Sequence, residues 1–222
     1  MMKRIGVLLL VSIVCACAGT PPPDWQMNAQ ASLRQAIEAQ LSGNDRVATI
    51  EFDRARAEIA RTGRAVLMAR AELMRCAAQT ASLQFEPCAG FEPLRIDAAP
   101  AEKAYAAYLQ GTLSDAERLL LPQQQQPLAA PGRGDAADLA ALQATADPLS
   151  RLVGAALWLQ AGRASPAVLA LAVDTASAQG WRRPLLAWLQ LLQRRAQTTG
   201  DMALAASLQR RIELVLQGRP SL

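Results

Sequence analysis

The chain has 222 residues, of which 51% are apolar but only 4% are aromatic. This composition disfavours an all-β sandwich or barrel, whose strands are enriched in β-branched and aromatic residues, and it favours helices packed through small side chains. The chain contains no histidine, which excludes Ser-His-Asp and Cys-His catalysis and imidazole metal ligands, and its net charge of +4 is too weak to indicate nucleic-acid binding.

Residues 1–16 have the pattern of a bacterial signal peptide. A positively charged start precedes an apolar run at residues 5–14, which is too short for a bilayer span of about 20 residues. Residues 14–17 resemble the lipobox of bacterial lipoproteins, although Cys15 stands where alanine or serine is usual. The resemblance implies cleavage before Cys17 and acylation of that cysteine. An ordinary cleaved signal is the alternative.

The residues after this cysteine predict where the protein is anchored. In the enteric pattern of lipoprotein sorting, an aspartate after the acylated cysteine retains the protein at the inner membrane, whereas Ala18 and Gly19 follow Cys17 here. The resemblance therefore implies an outer-membrane lipoprotein that faces the periplasm and is held by acyl chains such as palmitate. Residues 17–23 form the tether, which three consecutive prolines keep extended, and the folded part begins near Asp24.

Cys76 and Cys88 are the two cysteines outside this N-terminal segment, and an even number is typical of an oxidising compartment. Cys76 lies in the predicted helix 65–83. Cys88 lies beyond it, where Pro87 favours an extended chain that can fold back along the helix. We therefore predict a disulfide, with two independently buried thiols as the alternative. The spacing fits neither a CxxC redox pair nor a metal site.

Glycines at helix breaks reveal a degenerate repeat, in which an alanine follows each glycine after five residues. A large apolar residue follows four residues later in the first three units, with Leu120 and Leu171 in the second and third, and the first unit adds a further small residue. The members are Gly43, Ala48, Phe52, Ala55, Gly111, Ala116, Gly162, Ala167, Gly200 and Ala205. This pattern resembles the tetratricopeptide repeat, which implies an all-α fold of antiparallel helical hairpins stacked as a degenerate array. Another α-helical array is the alternative.

A proline-, glutamine- and glycine-rich stretch at residues 122–134 interrupts this pattern. It separates N-terminal helical repeats at 24–121 from C-terminal ones at 135–218, and its composition suits either a flexible linker or a long loop. In the second block, a cap residue followed by proline predicts helix starts at residues 147–148 and 165–166.

Candidate catalytic residues are few. Glu51 and Glu58 share one face of a predicted helix with several arginines, and we interpret them as surface ion pairs, Glu51 with Arg54 and Glu58 with Arg61. The Glu-Ser signature of lytic transglycosylases does not occur, and neither do phosphate-binding loops or a nucleophile elbow. We expect a non-catalytic protein with no cofactor, no bound metal and no small-molecule substrate.

The C-terminal stretch 181–222 is rich in arginine, with three adjacent pairs and only two acidic residues. The pairs are Arg182 and Arg183, Arg194 and Arg195, and Arg210 and Arg211. They form either a solvated face or a patch for an anionic partner such as lipid headgroups, a wall polymer or an acidic protein surface. We interpret the aromatic residues at helical spacing as core residues, among them Trp158, Trp181 and Trp188.

Together these features predict a membrane-anchored periplasmic scaffold or adaptor that binds a protein partner through a helical-repeat surface. The alternative is a structural envelope lipoprotein that binds wall polymer or anionic lipid through the arginine-rich C-terminal face.

Overall fold

The computed structural model describes residues 21–132 and 134–218. These residues form nine α-helices, two short 3₁₀-helices and no β-strand, which confirms the predicted all-α fold. The α-helices are α1 (Asp24–Ser42), α2 (Asp45–Ala60), α3 (Ala65–Ala81), α4 (Pro100–Leu109), α5 (Asp135–Ala144), α6 (Pro148–Gln160), α7 (Pro166–Ala178), α8 (Arg182–Thr198) and α9 (Met202–Gln217), and the 3₁₀-helices are Glu92–Leu94 and Glu117–Leu120.

Local capping explains many of these boundaries. The side chains of Asp147 and Ser165 accept hydrogen bonds from backbone N–H groups in the first turns of α6 and α7, and a proline follows each cap, as predicted. Gly43 ends α1 with φ of 80°, which lets the N–H of Asn44 reach the carbonyl of Ala39 at 2.8 Å. Gly111, Gly162 and Gly200, the other glycines of the repeat, also have positive φ at helix ends.

The structure differs from the repeat after Gly111. Residues 112–116 form no α-helix, and Ala116 is exposed at the start of the 3₁₀-helix Glu117–Leu120. The backbone N–H and hydroxyl of Ser114 both donate to the carboxylate of Glu117, which closes a local turn. Leu121 is extended because it precedes Pro122, so this segment is too short for a second helix of a hairpin.

The remaining alanines of the repeat divide between packed and exposed positions. In the first unit Phe52 and Ala55 are buried and Ala48 is half-buried, and Ala205 is buried in the last. Ala167 is exposed on α7, because the face of α7 that meets its neighbours is formed by later residues of that helix. The structure contains antiparallel helical hairpins, but their stacking as a tetratricopeptide-like array stays a prediction.

The helices pack around one large core, and a smaller apolar cluster lies between α1, α2 and α3. Hairpins α1–α2 and α8–α9 are the most extensive pairs, and the packed neighbours α1, α3, α6, α7 and α8 form a circuit that returns to α1. Core residues come from both predicted blocks, among them Leu41 and Leu73 from the first and Leu152 and Trp188 from the second. The two blocks consequently share their hydrophobic interior.

Residues 122–132 form a loop that packs on α6. Leu128 is buried, and its carbonyl accepts a hydrogen bond of 2.7 Å from the indole N–H of Trp158. Gly154 makes this approach possible, because a Cβ atom there would lie 2.7 Å from Cδ1 of Leu128. Arg163 also donates to the carbonyl of Ala130 at 3.0 Å. The described part of the low-complexity stretch is thus an ordered loop rather than a linker.

Cys76 of α3 and Cys88 of the following loop lie at disulfide distance, with Cα atoms 5.8 Å apart, as predicted. Both side chains are buried. The bond closes a short loop, and such a loop stabilises the fold by about 2–3 kcal/mol, mainly by restricting the unfolded chain. It fixes the exit of α3 and holds the segment that leads to α4.

The packed loop makes a testable prediction. Replacing Leu128 by alanine leaves a cavity against α6 and should lower the free energy of unfolding in urea by about 2–5 kcal/mol. Leu119→Ala is the matched control, because that leucine is 73% exposed, and its effect should stay within about 0.5 kcal/mol. Equal effects of the two substitutions would show that the loop is not part of the core.

Candidate functional site

The lipidation site predicted from the sequence, Cys17, lies outside the described residues, as do the signal peptide and the first residues of the tether. The end of the tether, residues 21–23, is exposed directly before α1. Within the described ranges, no helix combines the length and the apolarity that crossing a bilayer requires.

The three arginine pairs of the C-terminal stretch do not lie together. Arg183 donates to the carbonyl of Gln40 at 2.7 Å and pairs with Asp45, while the Arg182 guanidinium lies beside Gly43. These two arginines therefore connect α8 to the α1–α2 turn. The exposed pair Arg194–Arg195 lies about 18 Å further along the same helix, twelve residues at 1.5 Å each.

The carboxylates that the sequence singled out are ion-paired within their own helix. Glu51 accepts from Arg54 at 2.5 Å and Glu58 from Arg61 at 2.9 Å, both at the predicted i,i+3 spacing. Glu51 is buried, however, so its pair with the exposed Arg54 is not the surface pair that the sequence predicts. Sequence reasoning missed a different set of carboxylates, Glu72, Glu102 and Asp138, which are buried between helices. Each is held by an arginine from elsewhere in the chain.

Glu72 illustrates how such a charge is accommodated. It is fully buried on α3, where it pairs with Arg56 of α2 and with Arg75 one turn further on at 3.0 Å. The backbone of Gly90 lies over this carboxylate so closely that no Cβ atom would fit there. These contacts have a structural role, because Arg56 connects α2 to Glu72 of α3 and Gly90 packs the disulfide loop against the same side chain.

The most prominent concave feature is a groove along α3, which we call the α3 groove. It consists of three adjoining cavities, and Met74 lies in the wall of all three. Met74 is 41% exposed, although it is a large apolar residue on a helix that is otherwise deeply packed. The larger apolar residues that line the groove include Trp25, Leu33, Leu67, Leu73, Met74, Leu121, Leu149 and Trp181.

The largest of the three cavities, about 520 Å³, lies where α3, α4 and α6 meet the loop 121–125. We call it the α4 cavity. Most of its wall is apolar, but Arg70, Glu102, Tyr105, Gln125, Asp147 and Ser150 also line it. An apolar cavity with a few convergent polar groups is the usual form of a ligand-binding site.

The polar side chains of the α4 cavity form two linked sets. Glu102 is buried, and its Oε1 accepts from Nε of Arg70 at 2.5 Å. Gln125, also buried, donates from Nε2 to the hydroxyl oxygens of Ser150 at 3.0 Å and Tyr105 at 3.4 Å. Within the described part of the chain, Oε2 of Glu102 and Oε1 of Gln125 have no hydrogen-bond partner.

Tyr105 and Tyr108 lie on α4 with ring centroids 6.0 Å apart. Desolvation raises the pKa of Tyr105 to about 12, although the hydrogen bond from Gln125 opposes the shift, and desolvation raises the pKa of Tyr108 further still. Both hydroxyls are therefore neutral at physiological pH. They can donate or accept hydrogen bonds here but supply no phenolate nucleophile.

The described residues contain no cluster of three or more histidine, cysteine or acidic side chains that could hold a metal ion. Comparison with protein-family models, with curated proteins and with solved structures finds no match to this chain.

The tyrosine environment predicts a distinct alkaline titration. The chain has only two tyrosines. In the folded protein, tyrosinate absorbance from Tyr105 should appear only as the pH approaches 12, whereas in denaturant both residues titrate near the ordinary value of about 10. Because folding raises these pKa values, their contribution to stability is present below about pH 10 and is lost as the pH rises toward 12. Titration of the folded protein near 10 would contradict the desolvation of these two hydroxyls.

Proposed function

We propose that this chain is a membrane-anchored periplasmic adaptor lipoprotein, non-catalytic, that binds an apolar segment of a protein partner in the α3 groove. The observation that carries the proposal is the exposure of Met74 at the junction of three apolar cavities. Flexible, polarisable methionine side chains are common at surfaces that bind apolar peptide segments.

The groove combines three cavities of about 520, 320 and 510 Å³, which suits a peptide segment better than a single small metabolite. It extends from Trp25 at the start of α1, past Met74, to Trp181 and Leu149 at the α6–α8 side. Charged side chains of both signs, Arg34, Glu38 and Asp147, also line the groove. This arrangement suits a segment with apolar residues on one face and polar residues on the other.

Two features support the proposed location. The lipobox resemblance ends in Cys17, from which a short proline-rich tether leads to α1 and hence to the groove. The disulfide-distance pair of Cys76 and Cys88 suits an oxidising compartment such as the periplasm. An anchored protein of this kind would hold its partner within a few nanometres of the membrane surface, since six extended residues span about 20 Å.

The proposal is tested by photocrosslinking in cells. A benzophenone amino acid replaces Met74 in one variant and Met202 in another, a matched control because Met202 is 65% exposed on α9. We expect one defined protein adduct at position 74 and none at position 202, because only the first position lies in the groove. In the Cys17→Ala background the adduct should weaken, because the adaptor is no longer held near its partner. Identical adducts at both positions, or none at position 74, would contradict the proposal.

A second candidate function is favoured by the α8–α9 hairpin, where Arg194, Arg195, Arg210 and Arg211 are exposed. None of these four makes an ion pair within the described residues, in contrast to Arg183. They could bind anionic lipid or wall polymer. A variant in which the four charges are reversed separates the two functions. If this candidate is correct, the variant should no longer co-sediment with anionic vesicles or wall fragments. If the adaptor proposal is correct, the variant should still form the adduct at position 74.

A further inference from the structure

The cavity at the start of α1, which we call the Trp25 cavity, differs in charge from the rest of the α3 groove. It has a volume of about 320 Å³ and lies between α1, the end of α2 and the first half of α3. Its charged lining residues are Arg64 and Arg70, and among the described residues no acidic side chain lines it. The other two cavities of the groove each contain two carboxylates. The Trp25 cavity is therefore the cationic end of the groove.

The charge of this cavity is accessible. Arg64 is exposed directly before α3, and it makes no ion pair within the part of the chain that the structure describes. Arg70 pairs with Glu102 through Nε, but 60% of its side chain remains accessible. Arg64 thus carries a positive charge that a group entering the cavity can contact.

A second donor in the wall of the Trp25 cavity is also free. Three of the four tryptophans donate their indole N–H to an acceptor elsewhere in the fold, namely Trp158, Trp181 and Trp188. Trp25 is half-buried, and its N–H has no such acceptor among the described residues. An indole N–H can only donate, and the neighbouring amide side chains of Gln26 and Gln30 can donate as well. The wall is consequently rich in donors.

The apolar residues of the cavity add a second requirement. They are Ala29, Leu33, Ile59, Leu67, Ala71 and Met74. Ala29 and Ala71 are buried, whereas Arg64 is exposed, so the apolar surface lies deeper and the cation lies at the rim. A carboxylate carried by an apolar segment meets both requirements, because a charge-assisted hydrogen bond to arginine is stronger than a neutral one. An ammonium group is disfavoured by the same positive charge.

We infer that the Trp25 cavity is an anion subsite of the α3 groove, which binds the carboxylate of an acidic side chain in the partner segment, with the guanidinium of Arg64 as its main contact. This inference rests on the proposed adaptor function and adds the chemistry of the partner. A segment that buries its apolar face in the groove directs its polar side chains to the rim, where Arg64 lies. The acidic residue therefore belongs to the end of the segment that lies beside the start of α1.

The inference is tested with n-hexanoate as a probe, and with n-hexanol and n-hexylammonium as probes of the same length. Binding is followed by NMR of the ¹⁵N-labelled indole of Trp25, with the buried indole of Trp158 as an internal reference. At low ionic strength, hexanoate should bind about threefold or more tightly than hexanol, as expected for an accessible charge-assisted contact, and hexylammonium should bind less tightly than hexanol. The preference should decrease in about 0.5 M salt. Equal binding of hexanoate and hexanol would overturn the inference without the use of any variant.

Variants identify the group responsible. Arg64→Gln removes the charge and should lower hexanoate affinity by about threefold while leaving hexanol unchanged, and Arg64→Lys should retain most of the preference. Arg61→Gln is the matched control, because Arg61 is as exposed, pairs with Glu58 and does not line the cavity. An equal loss in Arg61→Gln would show a response to net charge alone and would overturn the assignment, as would no loss in Arg64→Gln.

A peptide identifies the source of the carboxylate. The partner segment recovered from the adduct at position 74 is synthesised with both termini blocked, and its acidic residue is replaced by the corresponding amide in a second peptide. This replacement should weaken binding to the wild-type protein but not to Arg64→Gln, since both changes remove the same contact. Equal binding of the two peptides to the wild-type protein would overturn the acidic side chain as the ligand, also if a free terminal carboxylate increases the affinity.

The two proposals fail separately. A protein adduct at position 74 that persists in Arg64→Gln, combined with equal binding of hexanoate and hexanol, removes the anion subsite and keeps the adaptor. Preference for hexanoate without any adduct at position 74 removes the adaptor, and with it the acidic side chain of a protein partner, although the cavity still binds carboxylates.

Discussion

The fold depends on buried tryptophans whose indole N–H groups reach across the molecule. Trp188 of α8 donates to the carbonyl of Ala81 at 3.1 Å, and Ala81 is the last residue of α3. A helix leaves its final carbonyl groups without partners, and a buried indole needs an acceptor, so one hydrogen bond satisfies both. Trp181 similarly donates to Glu38 of α1 at 2.9 Å. These bonds hold the start of α8 against the N-terminal helices.

This arrangement creates the α3 groove. Because α8 is held against α1 while α6 packs on α3, the helices that form the walls come from both halves of the sequence. Leu33, Met74 and Leu149 then line a common cavity, although they belong to three helices. The same packing brings Gln125 of the loop to Ser150 of α6 and Tyr105 of α4, and thereby completes the polar end of the groove.

Local features of the fold could be predicted from the sequence, because they depend on neighbouring residues. The caps at Asp147 and Ser165, the turn at Gly43 and the pairing of Cys76 with Cys88 are of this kind. At Ala116 the structure differs from the repeat pattern, because in an alanine-rich chain an alanine five residues after a glycine also arises without a hairpin. The burial of Leu128 could not be predicted from the low-complexity stretch, since the average composition of a segment does not indicate which single side chain is buried.

The candidate site could not be predicted, for a physical reason. Whether Glu102 is a surface charge or a buried one depends on Arg70, which lies 32 residues earlier and reaches it only after α3 and α4 pack. The same holds for Glu72 and Arg56. The sequence suggests that Arg183 belongs to a basic patch, but in the folded protein it is paired with Asp45. A pattern of charges along the chain does not contain these tertiary contacts.

Native-state hydrogen exchange at increasing denaturant measures whether both halves of the chain form one cooperative unit around the groove. We expect the slowest amides of α3 and α8 to approach a single free energy of opening. We also expect Trp188→Phe, which removes only the N–H donor and part of the ring, to lower this free energy for both helices together. Trp25→Phe, a partly exposed tryptophan on α1, should lower neither to the same degree. If α8 and α9 open while α1–α3 keep their protection, the two halves of the chain do not unfold as one unit, and the walls of the groove are not held together.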